Sequence, residues 1–236
     1  MDMQLKDRLA LVTGASRGIG AATAIALAAK GAHVILTART AAGLEQVEEA
    51  IFAAGGSATI APLDLAQSDS IAKLATAVGE RWNALDVMVL NAGTLGSLAA
   101  VPAIDPKEFA QVLTLNVSAP LAMIQAFDPM LRRSAGARVI GVTSSVGRTP
   151  RAYCGAYGAS KAAFETLLES YGDEMAEIGR VRVAVIDPGA TRTAMRARAY
   201  PGEDPASVKP PEAVAARIAQ LAVDGFDANH RERVAA

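Results

Sequence analysis

Leu9-Ala10-Leu11-Val12-Thr13-Gly14-Ala15-Ser16-Arg17-Gly18-Ile19-Gly20 decides how this chain folds. Five uncharged residues, Leu9–Thr13, run directly into a loop with three glycines, and an alanine-rich stretch, Ile19–Lys30, follows. The first piece predicts a short buried strand and the last a helix, with Gly31 as its stop. Between them Gly14, Gly18 and Gly20 have the spacing G-x3-G-x-G. A backbone that turns tightly and approaches a pyrophosphate at a helix N-terminus needs residues without side chains there. Glycine loops are common; the position between a strand and a helix is what points to nucleotide binding.

The same alternation continues. Val34–Ala38 predicts a second strand, Ala42–Ala54 a helix ending at Gly55-Gly56, and Ala58–Pro62 a strand leading to Asp64. Ser68–Arg81 predicts a helix, and Val87–Leu90 a strand that ends at Asn91-Ala92-Gly93. A long helical stretch from Pro106 to Arg133 contains Pro120, which is expected to kink it. Arg138–Val142, Tyr157–Ile178, Val181–Ile186 and Pro211–Val223 predict strand, helix, strand and helix. Apolar strands separated by helices indicate a parallel sheet covered on both faces, an α/β doubly wound Rossmann fold. The tail, Ala228 to Ala236, lacks a β-rich run, so a sheet of about six strands, or one with only a rudimentary last strand, is expected. No linker or repeat interrupts the chain, which reads as a single domain, 1–236, with a substrate-loop region at 190–210.

Composition narrows the partners. The chain has 236 residues, 51% hydrophobic and 20% charged, with net charge −1, which argues against disorder and against nucleic-acid or anionic-membrane partners. One cysteine, Cys154, rules out an internal disulfide framework, and two histidines, His33 and His230, are too few and too far apart for a metal site. The apolar run after Met1–Arg8 is too short for a signal segment or a membrane span. A cytoplasmic protein without metal is expected.

Chemistry enters with Tyr157-Gly158-Ala159-Ser160-Lys161. Tyr and Lys four apart share one face of a helix. A nearby ammonium can lower a phenol from its free value of about 10 towards neutrality, which takes roughly 4 kcal/mol. Ser144 precedes Tyr157 by 13 residues. A hydroxyl pair can polarise and protonate one substrate oxygen.

These motifs together resemble the short-chain dehydrogenase/reductase family: Thr13–Gly20, Asp64-Leu65, Asn91–Gly93, Asn116, the Ser144/Tyr157/Lys161 set and Pro188-Gly189 occur in order between about residues 5 and 195. The resemblance implies that Tyr157 gives or takes the proton at the substrate oxygen and that Ser144 hydrogen-bonds the carbonyl. Lys161 would bind the nicotinamide ribose and lower the Tyr157 pKa. Asn116 would hold a water linking Lys161 to solvent. Gly14, Ser16, Arg17, Gly18, Ile19 and Gly20 would cradle the cofactor. Arg39, Asp64, Leu65, Asn91, Ala92, Gly93, Pro188, Gly189, Thr191 and Thr193 would complete its site, with Tyr157 and Lys161. Thr191 departs from the family pattern, which places an aliphatic residue there; Thr193 fits the position that binds the carboxamide.

Cofactor choice follows from charge. Sites for NAD place an acid at the end of the second strand. Here Ala38 occupies that position, Arg39 follows and Arg17 sits in the glycine loop, a pair suited to a 2′-phosphate. The expected protein is an NADP(H)-dependent oxidoreductase that interconverts a carbonyl and an alcohol on a small molecule. An NADP(H)-binding sensor with vestigial chemistry and a nicotinamide-dependent epimerase are the alternatives. Arg192, Arg196 and Arg198 read first as a solvated loop face and second as a site for an acidic substrate. A homodimer through Pro106–Arg133 and Tyr157–Ile178 is expected, because the last strand that would support a tetramer is expected to be missing.

Overall fold

In the computed structural model, which describes residues 4–235, strand and helix alternate along the chain. The strands are β1 (Leu9–Thr13), β2 (His33–Ala38), β3 (Ser57–Pro62), β4 (Val87–Leu90), β5 (Ala137–Val142), β6 (Val181–Asp187) and β7 (His230–Arg233). They form one sheet in the order β3-β2-β1-β4-β5-β6-β7, and every pairing is parallel. The helices are α1 (Gly18–Ala29), α2 (Ala41–Ala53), α3 (Ser68–Arg81), α4 (Pro106–Leu113), α5 (Ala119–Arg133), α6 (Gly155–Ala176), α7 (Ala194–Ala199) and α8 (Pro211–Asp224).

The apolar strands are explained by a core on each face. Along β1, Ala10 and Val12 join the cluster that holds Leu27 of α1, Leu44 of α2 and Ile218 of α8. Leu9 and Leu11 join the opposite cluster, with Ile71 of α3, Phe127 of α5 and Phe164 of α6. Successive side chains alternate across a strand, so two covered faces demand an unbroken apolar run. The strand order reverses between β1 and β4, which opens a crevice at their carboxyl ends.

One glycine sets how closely α6 approaches the sheet. A Cβ on Gly141 of β5 would lie 2.1 Å from Leu168 Cδ1 and 2.8 Å from Phe164 Cζ. Both side chains are buried and have no room to retreat. Gly141→Ala should therefore destabilise the fold by about 1–3 kcal/mol through overpacking. Thermal unfolding by circular dichroism should show a drop of several degrees; an unchanged Tm would mean that α6 floats freely on β5.

The sheet has seven strands, the last of them a four-residue edge that answers to the rudimentary strand expected as the alternative to six. His230-Arg231-Glu232-Arg233 pairs in register with Ala184–Asp187 of β6. It was not recognisable as a strand because it is an edge, and edges tolerate charge. Its side chains are held by ion pairs: Glu232 with Arg217 of α8 at 2.6 Å, and Arg231 with Glu165 of α6 at 2.8 Å. The reason for expecting a dimer rather than a tetramer, a missing last strand, falls with this correction.

The long helical stretch is also different in detail. Helical backbone runs through the whole stretch, but a π-helical turn, Thr114–Ser118, divides it into α4 and α5, and Pro120 follows directly on that turn. The 28-residue run Pro106–Arg133 is long and apolar enough to cross a membrane by length and composition. Its apolar residues Met123, Ile124, Phe127 and Met130 instead lie in the core against the sheet. Phe164, Leu168 and Met175 of α6 do the same, whereas Leu121 is 38% exposed.

Candidate active site

The loops after β1, β2, β4, β5 and β6 meet at the carboxyl edge of the sheet. Thr13 ties two of them together. Its hydroxyl accepts from the main-chain N–H of Asn91 (2.9 Å) and of Ala92 (3.0 Å) and donates to the Val89 carbonyl (3.2 Å). Asn91 returns the contact, donating from Nδ2 to the Thr13 carbonyl at 2.9 Å. Asn91 thus serves the joint between loops through its side chain.

The glycine loop has the geometry of a cradle. Gly14 has φ +66°, and a Cβ on Gly20 would lie 2.2 Å from the Gly14 carbonyl oxygen. Only a bare backbone lets α1 begin so close to the loop. α1 starts with no side-chain cap and no acid in its first turn, which leaves its first N–H groups for an anion. These residues fit a dinucleotide pyrophosphate. Ile19 is half-buried and packs on the core, and the Leu65 side chain is buried. Ser16 lies against Gly43 of α2, where an added Cβ would be 2.8 Å from its own Cβ.

Arg17 and Arg39 are both exposed, on loops that follow the paired strands β1 and β2. Among the described residues neither enters an ion pair. Asp64 closes a local turn, its Oδ1 accepting from Ala66 N–H at 3.0 Å. Thr191 is buried and donates to the Pro188 carbonyl at 3.0 Å, so its side chain shapes its own loop. Gly189 turns that loop with φ +63°. Thr193 caps α7, accepting from Arg196 N–H at 3.1 Å, and its methyl would sit 3.4 Å from a Cβ on Gly18. The loop after β6 therefore reaches back over the glycine cradle.

Ser144 leaves β5 in an extended conformation at the start of the short turn Ser145–Gly147. Tyr157 and Lys161 lie in the first two turns of α6. Lys161 is buried; its Nζ donates to the Val142 carbonyl at 2.9 Å and lies 5.8 Å from the centre of the Tyr157 ring. Gly93 leaves room for it, since a Cβ there would sit 3.7 Å from Lys161 Nζ and 3.1 Å from Asn116 Oδ1. The Asn116 amide is fully engaged: Nδ2 donates to the Thr94 carbonyl (2.8 Å) and to Ser160 Oγ (2.9 Å), and Oδ1 accepts from Thr94 N–H (2.8 Å). Pro120 offers no N–H, so the Asn116 carbonyl lacks the usual partner four residues on. Thr94 and Ser160 were not anticipated; a serine on the buried face of α6 is the sequence signal that could have found Ser160.

The electrostatics differ from expectation. Burial pushes the Tyr157 phenol up to about 12; the hydrogen bond from Ser144 pulls it down, and the charge of Asp187 adds to the rise. Burial lowers the Lys161 ammonium to about 8, with Glu165 opposing. Desolvation thus outweighs the hydrogen bond from Ser144. A lysine lowered in the folded state gives up its proton at about pH 8, whereas unfolded it keeps it to about 10.4. Between these values the unfolded chain binds more protons, so Lys161's contribution to stability rises with pH. The Tm difference between wild type and Lys161→Met should accordingly grow in favour of wild type from about pH 8 to about pH 10. A flat difference would show that Lys161 is not desolvated.

The substrate-loop arginines are largely engaged. Arg196 pairs with Glu203 through Nε at 2.7 Å and stacks 3.7 Å over Tyr200. Arg198 donates to the Gly96 carbonyl at 2.9 Å. Arg151 donates to Ser145 Oγ (3.1 Å) and to Tyr200 OH (3.3 Å), and Ala99 bridges Cys154. The loops after β4, β5 and β6 are thereby joined around Tyr157.

Comparison with known proteins agrees with this layout. The family model of the short chain dehydrogenases matches residues 8–204. YciK, an uncharacterized oxidoreductase of Escherichia coli (strain K12), is 40% identical over 210 residues, which is 88% of this chain and 82% of that protein. A short chain dehydrogenase structure from Pseudomonas syringae superposes with TM-score 0.95 at 38% identity, covering 100% of this chain and 97% of that one. One from Shigella flexneri 2a str. 301, complexed with NADP, gives TM-score 0.94 at 36% identity, covering 99% of each chain. Identities of 36–40% over nearly the whole sheet are those of relatives, and the chain belongs to the short chain dehydrogenase family.

Proposed function

We propose that this protein is an NADP(H)-dependent oxidoreductase that interconverts a carbonyl and an alcohol on a small molecule, with Tyr157 as proton donor and acceptor. The observation that carries the reading is the meeting of Ser144, Tyr157, Lys161 and Asn116 at the mouth of a glycine cradle flanked by two exposed arginines. The NADP complex of the Shigella flexneri relative supports the cofactor. Arg17 and Arg39 would hold its 2′-phosphate, and the first turn of α1 its pyrophosphate.

When bound, the nicotinamide supplies or accepts the hydride. Tyr157 holds the matching proton: with its pKa pushed up to about 12, the phenol stays protonated near neutrality and is ready to give that proton to a carbonyl oxygen. Ser144 orients the same oxygen. Lys161, with a pKa lowered to about 8, is mostly charged at neutral pH and would bind the ribose hydroxyls and oppose the cost of a phenolate. Because the Asn116 side chain is occupied, its main-chain carbonyl is the group left to hold a water that resupplies the proton.

We read the protein as cytoplasmic and as associating with a second copy through α5 and α6, where Leu121 is exposed, and β7 removes the ground for preferring a dimer to a tetramer. Light scattering that gives the mass of one chain would overturn that association. The function is tested by following NADPH oxidation by the purified protein over a panel of aldehydes and ketones. Tight NADPH binding with no turnover on any of them would leave a cofactor-binding sensor.

A further inference from the structure

We propose that Glu165 is a positioning residue for the reaction, clamped by Arg231 of the C-terminal strand, and that it locks the Ser144 end of β5 to the helix that carries Tyr157 and Lys161. The proposal rests on the reading of the active site given above. Glu165 is a charged residue with 2% exposure, one helical turn beyond Lys161 on α6 and on the same face. A buried carboxylate is costly unless hydrogen bonds answer it. Here three do. Oε1 accepts from Thr143 Oγ1 at 2.6 Å, and Oε2 accepts from Arg148 Nε and Arg231 Nη1, both at 2.8 Å.

The partners are informative because of where they sit. Thr143 immediately precedes Ser144. Arg148 closes the short turn that Ser144 opens, and Arg231 comes from β7. One carboxylate therefore fixes the end of β5, the turn beyond it and the edge strand against α6. The turn itself is pressed onto Glu165: a Cβ on Gly147 would lie 3.1 Å from Oε1. If Thr143 moved away from α6, Ser144 would move away from Tyr157.

The charges add a second effect. Glu165 faces Lys161 from its own helix, Arg148 from the turn after β5 and Arg231 from β7. Glu169, one turn further along α6, pairs with the same two arginines. Asp187 at the end of β6 acts on Tyr157 and lies 3.6 Å from Arg233. Burial would push the Glu165 carboxyl up, but Arg231, Thr143 and Arg148 hold it below its ordinary range. It stays ionised and so presents a negative charge to the buried Lys161 ammonium.

The test separates this role from one of simple structural support. Lysine labelled at Cε and followed by carbon NMR gives the midpoint of Lys161, identified by its loss in Lys161→Arg. In Glu165→Gln the midpoint should fall by about half a pH unit or more, and in Glu169→Gln it should stay within about 0.2 units. With phenanthrenequinone as the carbonyl probe, Glu165→Gln should lose about tenfold or more in kcat, while the Kd for NADPH changes less than about threefold. Glu165→Asp keeps the charge but withdraws it from Thr143, so it should keep the midpoint and lose kcat severalfold; it also carries the test if Glu165→Gln does not fold. An unmoved midpoint in folded Glu165→Gln, or wild-type kcat in either variant, overturns the proposal, whatever happens to Tm. Failure of the wild type to oxidise NADPH with any probe would instead sink the reductase reading, and the lysine titration would still report on Glu165.

Discussion

Tyr157→Phe should lose about 100-fold or more in kcat and leave NADPH binding within about twofold of wild type, because a positioned proton donor contributes on this scale. Phe preserves the ring in its partly buried place on α6 and removes one hydroxyl. The groups proposed to hold the cofactor's phosphates lie elsewhere, in the loops after β1 and β2 and the first turn of α1. The loss should therefore appear in kcat, with the Kd for NADPH, read by its fluorescence, nearly constant. Turnover above about a tenth of wild type, a loss under about 1.4 kcal/mol, would assign the proton to another group.

The second large effect concerns the cofactor. NADPH should be strongly preferred to NADH by wild type, and Ala38→Asp combined with Arg39→Leu should reverse the preference. The double change removes a guanidinium from the phosphate and places a carboxylate where the ribose 2′-position would lie. Repulsion discriminates as effectively as attraction. Ala38 ends β2, half-buried at the edge of the core, and Arg39 is exposed just beyond it. Measured kcat/KM for the two cofactors decides it: equal values in wild type would show that Arg17 and Arg39 are ordinary surface residues.

The parts of this protein legible in its sequence are those where chemistry dictates residue type at short range. Gly14, Gly18 and Gly20 are readable because their spacing reflects one turn of backbone, and the structure shows Gly20 in contact with Gly14. Tyr157 and Lys161 are readable because one helical turn separates them. The features that escaped depend on distant partners. Glu165 gains its place from Thr143, Arg148 and Arg231, which lie 22, 17 and 66 residues away. The rise of the Tyr157 pKa comes from burial by several elements, which no local motif records. β7 has the composition of a solvated tail, and only its ladder with β6 and its ion pairs make it a strand. Arg196 and Arg198 looked like free cations until Glu203 and the Gly96 carbonyl were found beside them.

The 66 residues between Glu165 and Arg231 also set an order of events during synthesis. A chain emerging from the ribosome completes β1 to β6 and α6 well before its last strand, and units fold from the N-terminus as they appear. Through that interval Glu165 faces the sheet without one of its two arginines. A chain truncated after Asn229 should therefore turn over more slowly than the full sequence, and an equal kcat would show that Arg231 adds nothing to the clamp.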